Sequence, residues 1–313
     1  MALLLARSEI AKLLDLRTAM EILERVYHDQ ASGGIDAVPP LRLMNRGIRL
    51  VAGRLNLQNR VGVRLSVTGS RALALVFEID SGNLLAIMGY PFSNLRIGAT
   101  VGLAMERLVK PEIKRVGLIG SGAIAPWLLR TVVGLRPIEE IRVFSRSLDR
   151  RQKFAEDMTR ELGVRVTPVN RPEDVIESAE IVFVSTNSPG PALLGKWLKP
   201  GVPVIGTGRP NEFDDEVYLR AKLIVVSCKE HELGYYDKEL DKPLLRLASQ
   251  GTVNWNEVAE LGQLVAGQIH VEPTSKDIYV LRESQGGYSD VALAAWAYQE
   301  AARQNLGQSF DFD

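Results

Sequence analysis

Arg115-Val-Gly-Leu-Ile-Gly120-Ser-Gly122-Ala-Ile-Ala125 is the stretch that decides the fold. An apolar run, Val116 to Ile119, ends in Gly120-x-Gly122-x-x-Ala125 and passes straight into an amphipathic segment. A second strand-like run, Ile141 to Phe144, follows at the distance a βαβ unit needs. Each small residue has a physical role in that order. Gly120 permits the tight turn, Gly122 lets the backbone approach a pyrophosphate, and Ala125 keeps the helix close to the sheet. The helix N-terminus then faces the phosphates. Gly-x-Gly-x-x-Ala also occurs in plain βα turns, so its setting between a strand and a helix is what selects dinucleotide binding. The turn residues expected at the cofactor are Gly120, Gly122, Ala123 and Ile124.

The residue after the second strand sets the choice of cofactor. A carboxylate there would bond a ribose 2′-hydroxyl. This chain has Ser145-Arg146-Ser147, and no carboxylate until Asp149. An arginine fork with two hydroxyls suits a 2′-phosphate, which favours NADP(H) over NAD(H). The competing reading of Arg146 is a solvated surface residue.

Outward from this unit, the chain alternates strand and helix. Strands are expected at 116–120, 140–144, 164–168, 180–185, 202–206, 222–227 and 277–281, with a helix at 255–266. That alternation implies a doubly wound parallel sheet, a Rossmann domain over 113–287. Residues 8–29 read as a helix capped by Ser8, and 93–108 as a helix capped by Ser93. Between them, short β-type runs and the turn Asp80-Ser-Gly-Asn read as an antiparallel sheet. The last helix, Ser289 to Gln304, is too apolar to stand alone, so it packs back on the first domain or on a second subunit. The fold class is thus α/β: a Rossmann doubly wound parallel sheet plus a discontinuous α+β substrate and dimerisation domain, residues 1–112 and 288–313.

Ligands of open α/β sheets lie beyond the carboxyl ends of the strands. Thr186 and Asn187 follow one strand and Gly206 ends another, so all three are expected at the nicotinamide half.

Composition excludes several alternatives. The 313 residues are 46% hydrophobic and 24% charged, which fits a two-domain globular protein. Lys plus Arg equals Asp plus Glu, at 38 each, so bulk charge supports neither nucleic-acid nor membrane binding. The N-terminal apolar stretch is too short for a signal segment, and the expectation is a soluble, cytoplasmic protein. The single cysteine, Cys228, excludes an intrachain disulfide and a cysteine zinc cluster, and reads as a buried thiol. The three histidines show no metal-ligand spacing, so no metal is expected.

The chain resembles the ornithine cyclodeaminase/mu-crystallin family over nearly its whole length. The resemblance rests on Pro40-Leu-Arg42, Leu95-Arg96-Ile-Gly-Ala, Val116 to Ala125, Arg136-Pro-Ile-Glu-Glu-Ile-Arg-Val, and Trp197-Leu-Lys-Pro-Gly201. Val204-Ile-Gly-Thr-Gly-Arg-Pro, Glu260-Leu-Gly-Gln-Leu-Val-Ala-Gly267 and Glu283-Ser-Gln-Gly-Gly also match, in the same order and spacing. It implies a homodimer and a reaction through an imine beside a nicotinamide. By that resemblance Arg42 and Arg96 hold a substrate carboxylate, and Gly286 approaches the nicotinamide. Two positions depart from the pattern. Arg64 stands where the family has a lysine, and Gly208 where cyclodeaminases have an aspartate. Arginine does not trade protons in proteins, so the proton source becomes a water, Asp290, Tyr288 or Glu78.

The expected function is an NAD(P)-dependent oxidoreductase acting on a small imine, 2-oxo acid or amino acid. Arg42, Arg64 and Arg96 would bind the substrate, with Arg64 and Asp290 as catalytic candidates. The alternatives are a non-catalytic, mu-crystallin-like NADPH and small-ligand binder, or a true ornithine cyclodeaminase.

Overall fold

The computed structural model describes residues 1–43, 47–67, 71–235, 240–284 and 286–311. Two units emerge. The first holds Met1–Ala99, Cys228–Asp237 and Gln285–Asp313, and the second Thr100–Ser227 and Lys238–Ser284.

The chain begins in the first unit with β1 (Ala2–Leu5), α1 (Arg7–Ile10), α2 (Leu16–Ala31), β2 (Ile35–Ala37), β3 (Leu41–Arg42), β4 (Ile48–Leu55), β5 (Arg60–Val67), β6 (Ala72–Glu78) and β7 (Leu84–Tyr90). The single helix expected over 8–29 is two. Asp15 accepts the Thr18 N–H at 2.8 Å and so caps α2 in mid-run, while Ser8 lies inside α1. Helix α3 (Ser93–Leu108) follows, with the bounds the sequence pattern gives.

The second unit continues with β8 (Arg115–Ile119), α4 (Ala125–Leu135), β9 (Glu140–Phe144), α5 (Leu148–Leu162), β10 (Arg165–Pro168), α6 (Pro172–Ile176), β11 (Ile181–Val184), β12 (Val204–Gly206), α7 (Asp215–Leu219) and β13 (Ala221–Val226). Helix α8 (Lys229–Leu233) belongs to the first unit. Then come α9 (Pro243–Ser249), β14 (Ala259–Glu260), α10 (Leu261–Val265) and β15 (Ile278–Arg282) of the second unit. The chain ends in the first unit with α11 (Gly287–Arg303) and β16 (Gln308–Phe310). The helix expected over 255–266 is therefore broken. Trp255–Glu257 form a 3-10 turn, Ala259 and Glu260 pair in parallel with β13, and only Leu261–Val265 is α-helical. A short apolar run fits either period, and pairing with β13 decided it.

The second unit's sheet runs β10-β9-β8-β11-β12-β15-β13-β14, parallel throughout. Its order reverses between β8 and β11, which puts the ligand-binding point of such a sheet beyond the ends of those two strands. Every residue of β11 and β15 is buried, as strands covered on both faces must be.

The first unit's sheet runs β16-β1-β7-β6-β5-β4-β2, with β3 also paired to β4. Strands β4 to β7 form an antiparallel meander, while β1 is parallel to β7. Side chains alternate between faces. Gly62, Arg64, Ala74, Val76, Ala86 and Met88 are buried on one face, where α11 packs against β4 and β5. The last helix thus packs on the first unit. Cys228 is buried. No helix among the described residues is long and apolar enough to cross a membrane.

Candidate active site

The glycine turn follows β8. Gly120 has φ of +115°, and a Cβ there would lie 2.0 Å from the Ser185 carbonyl oxygen. Only glycine fits this backbone and this contact. The Gly120 N–H donates to the Phe144 carbonyl at 2.8 Å, tying the turn to β9. Helix α4 then starts at the fully buried Ala125. A cavity of about 480 Å³ opens over this turn. Gly120, Gly122, Ala123 and Ile124 line it, together with Ser145, Arg146, Ser147, Thr186 and Asn187. The volume lies in the range of small-molecule and cofactor sites. Of the expected cofactor residues, Gly206 stands outside the lining, packed against the Phe213 ring. Gly286 caps α11 in the first unit.

At the β9 end of this cavity the Ser121 hydroxyl donates to Ser145 Oγ at 2.9 Å. Ser147 caps α5, and Arg146 and Arg150 are exposed on the wall. The wall holds no carboxylate. Buried Arg151 holds this loop from behind. It donates to the Ser145 carbonyl at 2.8 Å and to Asn170 Oδ1 at 3.1 Å, with its guanidinium over the Phe144 ring. Sequence reading missed Arg150, Arg151, Pro172 and Trp197, three of which line the cavity. The position of Arg150 one turn into α5 was the available signal.

Behind the opposite wall lies an unforeseen ion pair. Glu212 and Arg282 are each 1% exposed, and their charged atoms stand 3.4 Å apart. Glu212 Oε1 accepts the Thr186 N–H at 2.6 Å, and Oε2 accepts the Gly208 N–H at 2.7 Å. Burial pushes the Glu212 carboxyl up to about 8, against the pull of Arg282 and of the N–H groups of Thr186, Gly208 and Thr207.

The first unit carries the arginines. Arg64 Nε donates to Asp290 Oδ2 at 2.9 Å, and Arg96 Nε lies 3.3 Å from Oδ1. All three side chains are buried. Burial pushes the Asp290 carboxyl up, but the two guanidinium groups outweigh it and hold it below its ordinary value. Arg64 lines a cavity of about 320 Å³ with Arg7, Ser66, Arg71, Tyr90 and Asn94. Burial and the neighbouring Asp290 raise the Tyr90 phenol well above its ordinary value.

Arg42 is half-buried on β3, opposite Arg49, and is not among the residues lining this cavity. Glu78 bonds Arg60 and Ser81 at the far end of β6. It pairs with Arg60 while Arg64 pairs with Ala74, a separation of about 13 Å along the strand. The Tyr288 hydroxyl accepts from Gln30 at 3.0 Å, with its ring edge-on to Tyr27.

A glycine turn that opens on a cavity in the second unit, with arginines gathered on the first, is what the family resemblance implies. The ornithine cyclodeaminase/mu-crystallin family model matches residues 3–305. The chain belongs to this family. A Delta(1)-pyrroline-2-carboxylate reductase of Bacillus cereus is 24% identical over 246 residues, 77% of this chain and 74% of that protein. An alanine dehydrogenase of Archaeoglobus fulgidus is 24% identical over 327 residues, covering 99% and 98%. Among solved structures, the Delta(1)-pyrroline-2-carboxylate reductase of Thermococcus litoralis, in complex with NADH and L-proline, superposes with a TM-score of 0.86. It is 25% identical, over 98% of this chain and all of that one.

Proposed function

We propose that this family member, a nicotinamide-dependent oxidoreductase, reduces a small cyclic imine that carries a carboxylate. The observation that carries the reading is the state of the groups around Arg64. Arg7, Arg64 and Arg71 set guanidinium groups around this cavity. Asp290 is held ionised by Arg64 and Arg96, and Tyr90 is pushed to higher pH. With no proton to give from Asp290 and a phenol that holds its own at Tyr90, the chemistry this site fits is hydride transfer to a carbon–nitrogen bond that arrives already protonated. A lysine-assisted deamination is a poorer match. The cavity's guanidinium edge suits a carboxylate, and its 320 Å³ suits a compact substrate. The relatives' names, a pyrroline-2-carboxylate reductase foremost, support the same class.

In this reading the cofactor lies over Gly120, Gly122, Ala123 and Ile124, and Thr186 and Asn187 flank its nicotinamide. A bound nicotinamide supplies the hydride. Arg64 holds the substrate carboxylate, with Arg42 and Arg96 as the further substrate residues, and Asp290 positions the Arg64 and Arg96 guanidinium groups.

The cofactor preferred is NADP(H). Ser145, Arg146, Ser147 and Arg150 offer hydroxyls and guanidinium groups, with no carboxylate to bond a 2′-hydroxyl. The neighbouring solved structure holds NADH, so the preference has to be measured on this chain. Arg146→Ala is expected to raise the Kd for NADPH about tenfold and to leave that for NADH unchanged. Fluorescence titration with both cofactors checks this. Equal effects on the two would mean that Arg146 reads no phosphate.

The protein acts as a homodimer in this reading. The outward face of the first unit's sheet carries Val63, Leu65, Leu73, Leu75, Phe77 and Ile87, cross-strand neighbours that are half-buried or exposed. A contiguous apolar face of this kind on a single chain marks an association surface. Light scattering is expected to give twice the chain mass, and Leu75→Glu to give the monomer mass. A monomeric wild-type protein would rule the dimer out.

A further inference from the structure

Two loops form the wall over the carboxyl ends of β11 and β12, and neither belongs to a helix or strand. Thr186 follows β11 and Gly208 follows β12, and both line the 480 Å³ cavity. A single buried side chain stands behind both. Glu212 gives one carboxylate oxygen to each backbone N–H, at 2.6 and 2.7 Å, and has no place in the lining itself. Its own position is fixed from two sides. Its carbonyl accepts the N–H groups of Ala192 and Leu193, and Arg282 approaches its carboxylate.

An independent observation bears on the same point. A Cβ at Gly208 would lie 2.2 Å from Glu212 Oε1 and 2.4 Å from the Thr186 carbonyl oxygen. A side chain at 208 would have to push apart the groups that Glu212 holds together. The glycine at this position, where cyclodeaminases have an aspartate, and the buried glutamate are therefore two parts of one arrangement.

We propose that Glu212 is the positioning residue of the cofactor site, a carboxylate clamp that fixes the Thr186 loop against the Gly208 loop and thereby excludes any side chain at 208. This rests on the 480 Å³ cavity being the dinucleotide site. The clamp sets the wall that the nicotinamide half meets. Replacing the carboxylate by an amide keeps the shape but turns one of the two acceptors into a donor, which then opposes a backbone N–H. The amide leaves a buried backbone N–H without its acceptor, and that cost is large enough for the loss to be measurable.

The test uses E212Q in the full-length protein, with E212Q/R282M as the variant that removes both members of the buried pair and leaves no orphaned charge. The first readout is backbone amide exchange without cofactor. In the wild-type protein the Thr186 and Gly208 amides are expected to be protected. In both variants these two amides are expected to exchange at least tenfold faster, while amides of β8 and β9 keep their rates. The second readout is the Kd for NADH and NADPH, expected to rise about tenfold for both cofactors in both variants. Unprotected Thr186 and Gly208 amides in the wild-type protein would overturn the proposal. So would variants with wild-type exchange at those amides, or with wild-type cofactor affinity. If the wild-type protein binds neither cofactor, the dinucleotide reading fails, and the exchange measurement still decides whether the clamp exists.

Discussion

Asp290→Ala is expected to destabilise the protein by about 3–5 kcal/mol, the range for removing one partner of a buried ion pair. Asp290 is 1% exposed, and Arg64 and Arg96 lie against its two oxygens with 6% and 2% of their surface accessible. Alanine removes the carboxylate that stands against two buried guanidinium groups. Asp290→Asn should also destabilise, because the amide retains an acceptor but loses the charge. Denaturant unfolding of the wild-type protein and both variants measures this. A change under about 1 kcal/mol for Asp290→Ala would mean that water or anions take the place of the lost carboxylate. The same cluster fixes a pH dependence. The folded-state value of Asp290 lies below the ordinary carboxylate value. Its contribution to stability is therefore present above the unfolded-state value, about 3.9, and is lost as pH falls through the lower folded-state value.

Gly120→Ala should abolish dinucleotide binding at cofactor concentrations that saturate the wild-type protein. The substitution meets two obstacles at one position. The φ of +115° costs a side-chain-bearing residue about 1–3 kcal/mol, and the added Cβ would lie 2.0 Å from the Ser185 carbonyl oxygen. The turn can relieve that contact only by moving away from the strand end that shapes the cavity. Gly134→Ala is the control. Gly134 lies in α4, and its Cβ would meet nothing within 4 Å. Fluorescence titration with NADH and NADPH should show wild-type affinity for Gly134→Ala and no saturation for Gly120→Ala. Unchanged affinity in Gly120→Ala would place the dinucleotide elsewhere.

The two clusters differ in how far the sequence reveals them. The requirements of the Gly120 turn are local, a φ that only glycine adopts easily and a close approach between adjacent segments, so they are written in adjacent letters. The wall residues Ser145, Arg146 and Ser147 are legible for the same reason, because they follow the second strand of the unit. The ion pairs are not local. Arg64 and Asp290 are 226 residues apart, and Glu212 and Arg282 are 70 apart. No periodicity or spacing rule links such pairs. The family resemblance marks Arg64 and Gly208 as departures and Asp290 as a candidate, but the pairing of Asp290 with Arg64 and the contact of Glu212 with Gly208 come into view only when the chain is folded. Helix boundaries follow the same division. Asp15 begins α2 through its own side chain, whereas β14 exists only because β13 lies beside it.

The most direct measurement is oxidation of NADPH and NADH by the full-length protein, followed by absorbance, with pyrroline-2-carboxylate as substrate. The expected result is cofactor oxidation that requires the imine, forms proline in equal amount and is faster with NADPH. Saturable binding of either cofactor with no oxidation, across pyrroline-2-carboxylate, its six-membered analogue and 2-oxo acids with ammonia, would contradict imine reduction and leave a binding protein in its place.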